Sequence, residues 1–226
     1  MEGMFEILQE SPVFKGLGSE RIESLLREVG YQIKKYGKED MISMREEQCN
    51  TLQIVIKGSV KGEMLDLSGK VIKIEDIPAP RPLASAFLFG KNNRFPVDII
   101  ANEDVSILRL SKESVLQLFM KDEDILKNYL NAISNRTQFL TRKLFFLSFK
   151  TIREKIAFFL NEQLKNQGGN EIVLKLTQRE MAELFGVARP SLARGFAELE
   201  KTGVIELSRK NVKVLDQKGL LELIKS

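Results

Sequence analysis

The chain has 226 residues, 43% of them hydrophobic, and a formal net charge of +4. That is enough for one large domain or two modest ones, and no apolar run approaches the ~18 residues of a membrane-spanning helix. One cysteine, Cys49, and no histidine exclude an internal disulfide framework, a four-thiolate metal or iron–sulfur site within one chain, and the commonest general base and haem ligand.

The acidic N-terminus, "MEGMFEILQESP", does not read as a secretory signal. A soluble, cytoplasmic protein with no catalytic residue, metal or cofactor is the expectation. Charge is uneven along the chain. Residues 150–226 hold fourteen Lys and Arg against ten Asp and Glu, so the whole excess lies there. This hints at a polyanion partner for the C-terminal part, although +4 is also an ordinary solubility charge.

In chain order, "SERIESLLREVG" predicts a short helix over 19–30. Ser19 would cap it, Ile22, Leu25, Leu26 and Val29 would line one face, and Gly30 would end it. From Tyr31 to Leu110 the pattern changes to short Val- and Ile-rich runs: "TLQIVIKGSVKGEML", "GKVIKIEDI", "FPVDIIA" and "VSILRL". Turn residues punctuate them at intervals of roughly ten, which predicts an all-β sandwich or barrel. Residues 111–149 return to helix. There Leu126, Leu130, Ile133, Thr137, Leu140, Leu144 and Leu147 repeat at heptad spacing, interrupted once at Thr137. Phe139, Phe145 and Phe146 supply a second apolar face. A helix packed on its own domain would explain the seam, but a parallel homodimer is the preferred reading. "TIREKIAFFLNEQLKNQ" predicts another amphipathic helix, with Ile152, Ile156, Phe159 and Leu160 inward. The charge change near Phe149–Thr151 marks a domain boundary. The expected division is 1–122, 123–149 and 150–226.

The most informative stretch is "TQREMAELFGVARPSLARGFAELEKTGVIEL". Met181, Leu184 and Phe185 define the inner face of a first helix. Gly186 permits the left-handed backbone that ends it. Pro190 falls in the first turn of a second helix, where its missing N–H costs nothing. With the small Ala182 at the crossing, this spells a helix-turn-helix. Leu192, Phe196 and Leu199 turn the second helix inward, leaving Arg189, Ser191 and Arg194 near its outer N-terminal end. An arginine fork matches guanine O6 and N7, and Ser191 near the helix start suits a phosphate. Thr177, Gln178 and Arg179 at the first helix suit the DNA backbone. "GVIELSRKNVKVLD" reads as a β-hairpin wing, with Lys201, Arg209 and Lys210 as further phosphate contacts. The bland alternative is a solvated helix pair kept soluble by its arginines.

The sequence resembles the cyclic-AMP receptor/FNR (Crp/Fnr) family of bacterial transcription regulators over nearly its whole length. "TLQIVIKGSV" is similar to the family's β-roll signature, with Gly58 at the hallmark glycine. "NYLNAISNRTQFLTRKLFFLSFKTIREKIAFFL" is similar to its dimerisation helix, hinge and first C-terminal helix. The stretch opening at Thr177 is similar to its winged helix-turn-helix. The resemblance implies an α+β fold: an N-terminal jelly-roll-like β-roll, a long dimerisation helix and a C-terminal winged helix-turn-helix. It implies a homodimer on a palindromic operator, with RNA polymerase as a partner, and matches Arg189 and Arg194 to the family's two reading arginines. Pro190 stands where many members read the opposite strand with a glutamate, so that contact is absent. Ala188 stands where a hydroxyl residue often caps the helix. Glu46 stands at a frequent turn glycine.

In the family's nucleotide pocket a Gly-Glu holds the ribose and an Arg-Ser holds the cyclic phosphate. Here Leu83 and Ala84 replace the Gly-Glu, Ser85 follows, Arg94 matches the arginine and Phe95 replaces the serine. Leu140 and Thr141 stand at two helix positions that carry hydroxyls elsewhere, and only Thr141 fits. Regulation by cyclic AMP is therefore not expected, and a different small effector is. Phe87, Phe89 and Phe95 beside Arg94 read either as an apolar pocket for an organic anion or, preferably, as core filling. Two other classes stay open: a small-molecule module on a cupin-like barrel, and a helix pair that binds protein instead of DNA.

Overall fold

The computed structural model describes residues 3–65 and 69–225. The chain divides into two units, Met1–Asn135 and Arg136–Ser226. The first contains α1 (Met4–Gln9), α2 (Ser19–Val29), β1 (Gln32–Tyr36), β2 (Met41–Ser43), β3 (Thr51–Lys57), β4 (Ser59–Leu65), β5 (Val71–Pro78), β6 (Pro82–Leu83), a 3-10 turn at Ser85–Phe87, β7 (Asp98–Ala101), β8 (Val105–Ser111) and α3 (Lys112–Lys121). The helix α4 (Glu123–Leu147) begins in this unit and ends in the second.

The strands form two four-stranded antiparallel sheets, ordered β1-β8-β3-β6 and β2-β7-β4-β5. Cys49, Val55, Val60, Phe95, Ile99 and Ile107 fill the space between them. The other face of the first sheet, through Leu52, Ile54, Leu108 and Leu110, packs on Leu8, Phe14, Ile22, Leu25, Val115 and Ile125. Both faces of β3 are thus covered, so residues 52–56 are all buried, including the polar Gln53, whose side-chain amide donates to the Ser43 hydroxyl at 3.2 Å. Gly58 joins β3 to β4 at φ 76°, and a Cβ there would lie 2.7 Å from the Asp104 carbonyl oxygen.

One local expectation is corrected. The N-cap of α2 is Gly18 without a side-chain cap, and Ser19 is the first helical residue. The helical stretch 111–149, divided at 122/123 in the expected domains, is two helices. α3 is capped by the Ser111 hydroxyl, which accepts from Ser114 N–H at 3.0 Å. It stops because Asp122 turns extended, at φ −146°. The Asp122 carboxylate then accepts from the N–H groups of Asp124 and Ile125, satisfying the first donors of α4.

The second unit contains the end of α4, then α5 (Ile152–Gln167), β9 (Glu171–Val173), α6 (Gln178–Phe185), α7 (Arg189–Lys201), β10 (Ile205–Ser208), β11 (Asn211–Val214) and α8 (Gln217–Lys225). Its three strands form one antiparallel sheet, β10-β11-β9. Phe146, Ile156, Leu160, Phe185, Leu192 and Phe196 lie in its core. The sequence places a boundary near Phe149–Thr151, whereas the two units part between Asn135 and Arg136. Aromatic packing accounts for the difference. Phe145 and Phe149 lie 4.9 and 5.2 Å from Phe158, and Phe146 lies 4.6 Å from Phe185, so the last turns of α4 belong to the C-terminal core.

Candidate nucleic-acid interface

The second unit is organised around the turn between α6 and α7. Thr177 caps α6 in a capping box: its hydroxyl accepts from Glu180 N–H, and the Glu180 carboxylate accepts from Thr177 N–H at 2.7 Å. Those bonds hold the Glu180 carboxyl below the usual carboxylate range. α6 ends at Gly186, φ 66°, with Val187 N–H reaching the Ala182 carbonyl and Gly186 N–H that of Glu183. This is a Schellman closure, which needs the left-handed glycine. A Cβ on Gly186 would also lie 2.7 Å from Leu147 Cδ2.

α7 starts without a side-chain cap at Ala188, and Pro190 sits in its first turn. Leu192, Gly195, Phe196 and Leu199 face inward. Gly195 permits a close approach to α5, because a Cβ there would lie 2.8 Å from atoms of both Ile152 and Ile156. Arg189 and Arg194 are exposed, and so are the small Pro190, Ala193 and Ala197. Ser191 is half-buried, and its hydroxyl accepts from Arg194 Nη2 at 3.2 Å. The wing is the β10–β11 hairpin, paired Ser208 to Asn211, with Arg209 and Lys210 exposed at its tip. Arg209 adopts φ 54°, unusual for a side chain with a Cβ.

Thr177, Gln178, Arg189, Arg209 and Lys210 line one cleft of about 220 Å³ between the start of α6, α7 and the wing. Ser191 and Arg194 instead border a second groove of about 280 Å³, with Thr151, Ile152 and Arg153. Arg179 is exposed on the first turn of α6. Lys201 is the last residue of α7, ~18 Å along the axis from Arg189 at 1.5 Å per residue, so it stands apart from the reading end. Sequence reasoning missed the roles of Gly195 and Lys155. The signal for Lys155 was a charge inside the apolar stripe Ile152, Ile156 and Phe159.

Residues 154–223 match the family described as Crp-like helix-turn-helix domain, and residues 33–122 match Cyclic nucleotide-binding domain. The chain belongs to the Crp/Fnr family of transcription regulators. It is accordingly a DNA-binding regulator of that type. It is 24% identical to the cyclic AMP receptor protein of Thermus thermophilus over 217 residues, 96% of this chain and 98% of that relative. The crystal structure of Thermus thermophilus catabolite activator protein superposes with a TM-score of 0.55 at 24% identity, covering 95% of this chain and 98% of that one. A transcriptional regulator from Thermotoga maritima matches at 31% identity and TM-score 0.53, over 56% of this chain and 97% of its own.

The effector candidates of this Crp/Fnr chain are scattered. Arg94 is exposed, and its guanidinium donates to the Glu46 carbonyl. It thereby braces the turn in which Glu46 keeps a glycine-like φ of 66°. Phe95 is 2% exposed within the roll core, in keeping with core filling, the preferred of its two readings. Ala84 is half-buried at φ 47°, and the Ser85 carbonyl accepts from the Tyr129 hydroxyl at 2.7 Å. Phe89 lies outside the roll core, in an aromatic trio with Phe119 and Tyr129. Cys49 is buried, which pushes its thiol pKa up and makes it a packing residue. Leu140 and Thr141 are exposed in the second unit, and the Thr141 hydroxyl donates to the Thr137 carbonyl. Among the described residues, no helix is long and apolar enough to cross a membrane.

Proposed function

We propose that this regulator acts as a cytoplasmic homodimer that reads a palindromic operator with Arg189 and Arg194, with Ser191 holding a phosphate beside them. It catalyses no reaction and works with RNA polymerase at the promoter. Thr177, Gln178, Arg179, Lys201, Arg209 and Lys210 contact phosphates. The observation that carries the reading is the outer face of α7: two exposed arginines beside Pro190, Ala193 and Ala197, whose small side chains let a groove floor come close. The cleft that gathers Arg189, Arg209 and Lys210 supports a phosphate path between reading helix and wing. Leu130, Leu140 and Leu144 are exposed along α4, as a dimer seam requires. Two reading helices must then sit about one helical turn of DNA apart, ~34 Å.

The relatives named for cyclic AMP take that nucleotide. Here Phe95 is core, Arg94 is tied to the Glu46 backbone, and Leu83 and Ala84 offer no ribose acceptor. Cyclic AMP is therefore not the effector of this chain. Mobility shifts in rising salt test the DNA reading, since log affinity falls by about 0.9 per neutralised phosphate for each unit of log salt. Arg194→Ala should relax preference at one base pair. Equal loss on every sequence would reassign Arg194 to a phosphate, and indifference to duplex DNA at low salt would sink the reading.

A further inference from the structure

Lys155 is a charged side chain on the inner face of α5, only 7% exposed, and its ammonium has no carboxylate within ion-pair reach among the described pairs. It donates at 2.8 Å to the carbonyl of Phe185, the last residue of α6. A helix C-terminus carries partial negative charge, so a cation there is favourable. Burying an ammonium is costly without such a partner, and desolvation lowers the Lys155 pKa, with Glu154 opposing the shift. One turn of α5 thus grips both helices of the pair. Lys155 holds the end of α6, while Ile152 and Ile156 press against Gly195 of α7. The Phe146 ring lies 4.6 Å from that of Phe185, and Leu147 abuts Gly186.

We propose that Lys155 is a positioning residue for operator recognition: its ammonium caps α6 at the turn and fixes the angle at which α7 leaves it. Lys155 touches no DNA and acts through the Phe185 carbonyl. A reading helix mis-set by a fraction of a turn still meets phosphates, but its arginines miss their base edges. Loss of the cap therefore lowers sequence discrimination more than affinity for DNA at large.

The inference rests on α7 being the reading helix, and the two fail separately. The probes are a duplex selected from a random library by the wild-type protein and a scrambled duplex of equal length. Full-length Lys155→Met, which fills the same space without the charge, should bind the scrambled duplex within twofold of wild type and lose about tenfold in preference for the selected one. Lys155→Arg, which restores a cation, should recover most of that preference. Far-UV circular dichroism checks folding, and Lys155→Gln replaces Lys155→Met should the latter not fold. An unchanged preference in a folded Lys155→Met or Lys155→Gln, while Arg194→Ala relaxes it, would overturn the role of Lys155 alone. So would a folded Lys155→Arg no better than Lys155→Met. If Arg194→Ala and Arg189→Ala both leave preference intact as well, the reading of α7 itself fails.

Discussion

Glu46 and Arg209 hold backbone conformations that suit glycine, at φ 66° and 54°. For a residue with a Cβ that region costs roughly 1–2 kcal/mol, while glycine gives back about 0.5–1 kcal/mol in unfolded-chain entropy. The strain is the larger effect, so Glu46→Gly should raise stability by about 0.5–1 kcal/mol, read as the midpoint of urea unfolding. Arg209→Gly should show the same gain together with a weaker salt dependence of DNA binding, its slope falling by about 0.9 for one lost phosphate contact. A stabilised variant with an unchanged slope would remove Arg209 from the interface. Glu180 makes a pH prediction. Its carboxyl pKa is lowered from 4.5 by bonds from Thr177. A depressed carboxyl contributes stability above its unfolded pKa and loses it as pH falls through the folded value. The stability gap between wild type and Glu180→Gln should thus be constant at neutral pH and close below about pH 4.5. The glycine-like turn at Glu46 was visible only through the family resemblance, because nothing local in "SMREEQC" marks it. The burial of Phe95 was weighed from sequence as core filling, but one residue between an exposed Arg94 and Pro96 carries no periodicity that settles its face.

At the scale of elements, the helix-turn-helix was the most legible part. Its signals are local: an apolar stripe, a left-handed glycine, a proline in a first turn. The use of Asp122 as the cap of α4 was not legible, since Asp is tolerated within a helix and only the extended φ reveals it. The turn yields a prediction in two parts. Gly186→Ala should cost about 1–2 kcal/mol for its φ of 66°. Its Cβ would also meet Leu147 Cδ2 at 2.7 Å, the end of a 52% exposed side chain that can turn away, so this contact adds less than the backbone strain. Adding Leu147→Ala should return only the second part. Chemical unfolding of the single and double variants separates the two, and a double variant no better than the single would mean that Leu147 yields freely.

For the whole molecule, α4 carries the assembly. Leu144 is 69% exposed on the heptad seam. Leu144→Lys should convert the protein to monomer and abolish operator binding, as followed by sedimentation velocity and mobility shift. A dimer that survives the lysine would place the interface elsewhere. The order β-roll, long helix, winged helix was readable in advance, because each segment repeats its burial at its own period, two residues in strands and about 3.6 in helices. By itself the sequence determined the two-part architecture, the turn at Gly186 and the outward arginines of α7. Only the tertiary structure decided that the end of α4 packs with the C-terminal unit, that Arg94 braces a backbone turn, and that Lys155 meets the Phe185 carbonyl. The physical reason is range. Periodicity reports how a residue faces along its own element, whereas these three outcomes depend on groups brought together from segments 30 or more residues apart, whose meeting no local pattern encodes.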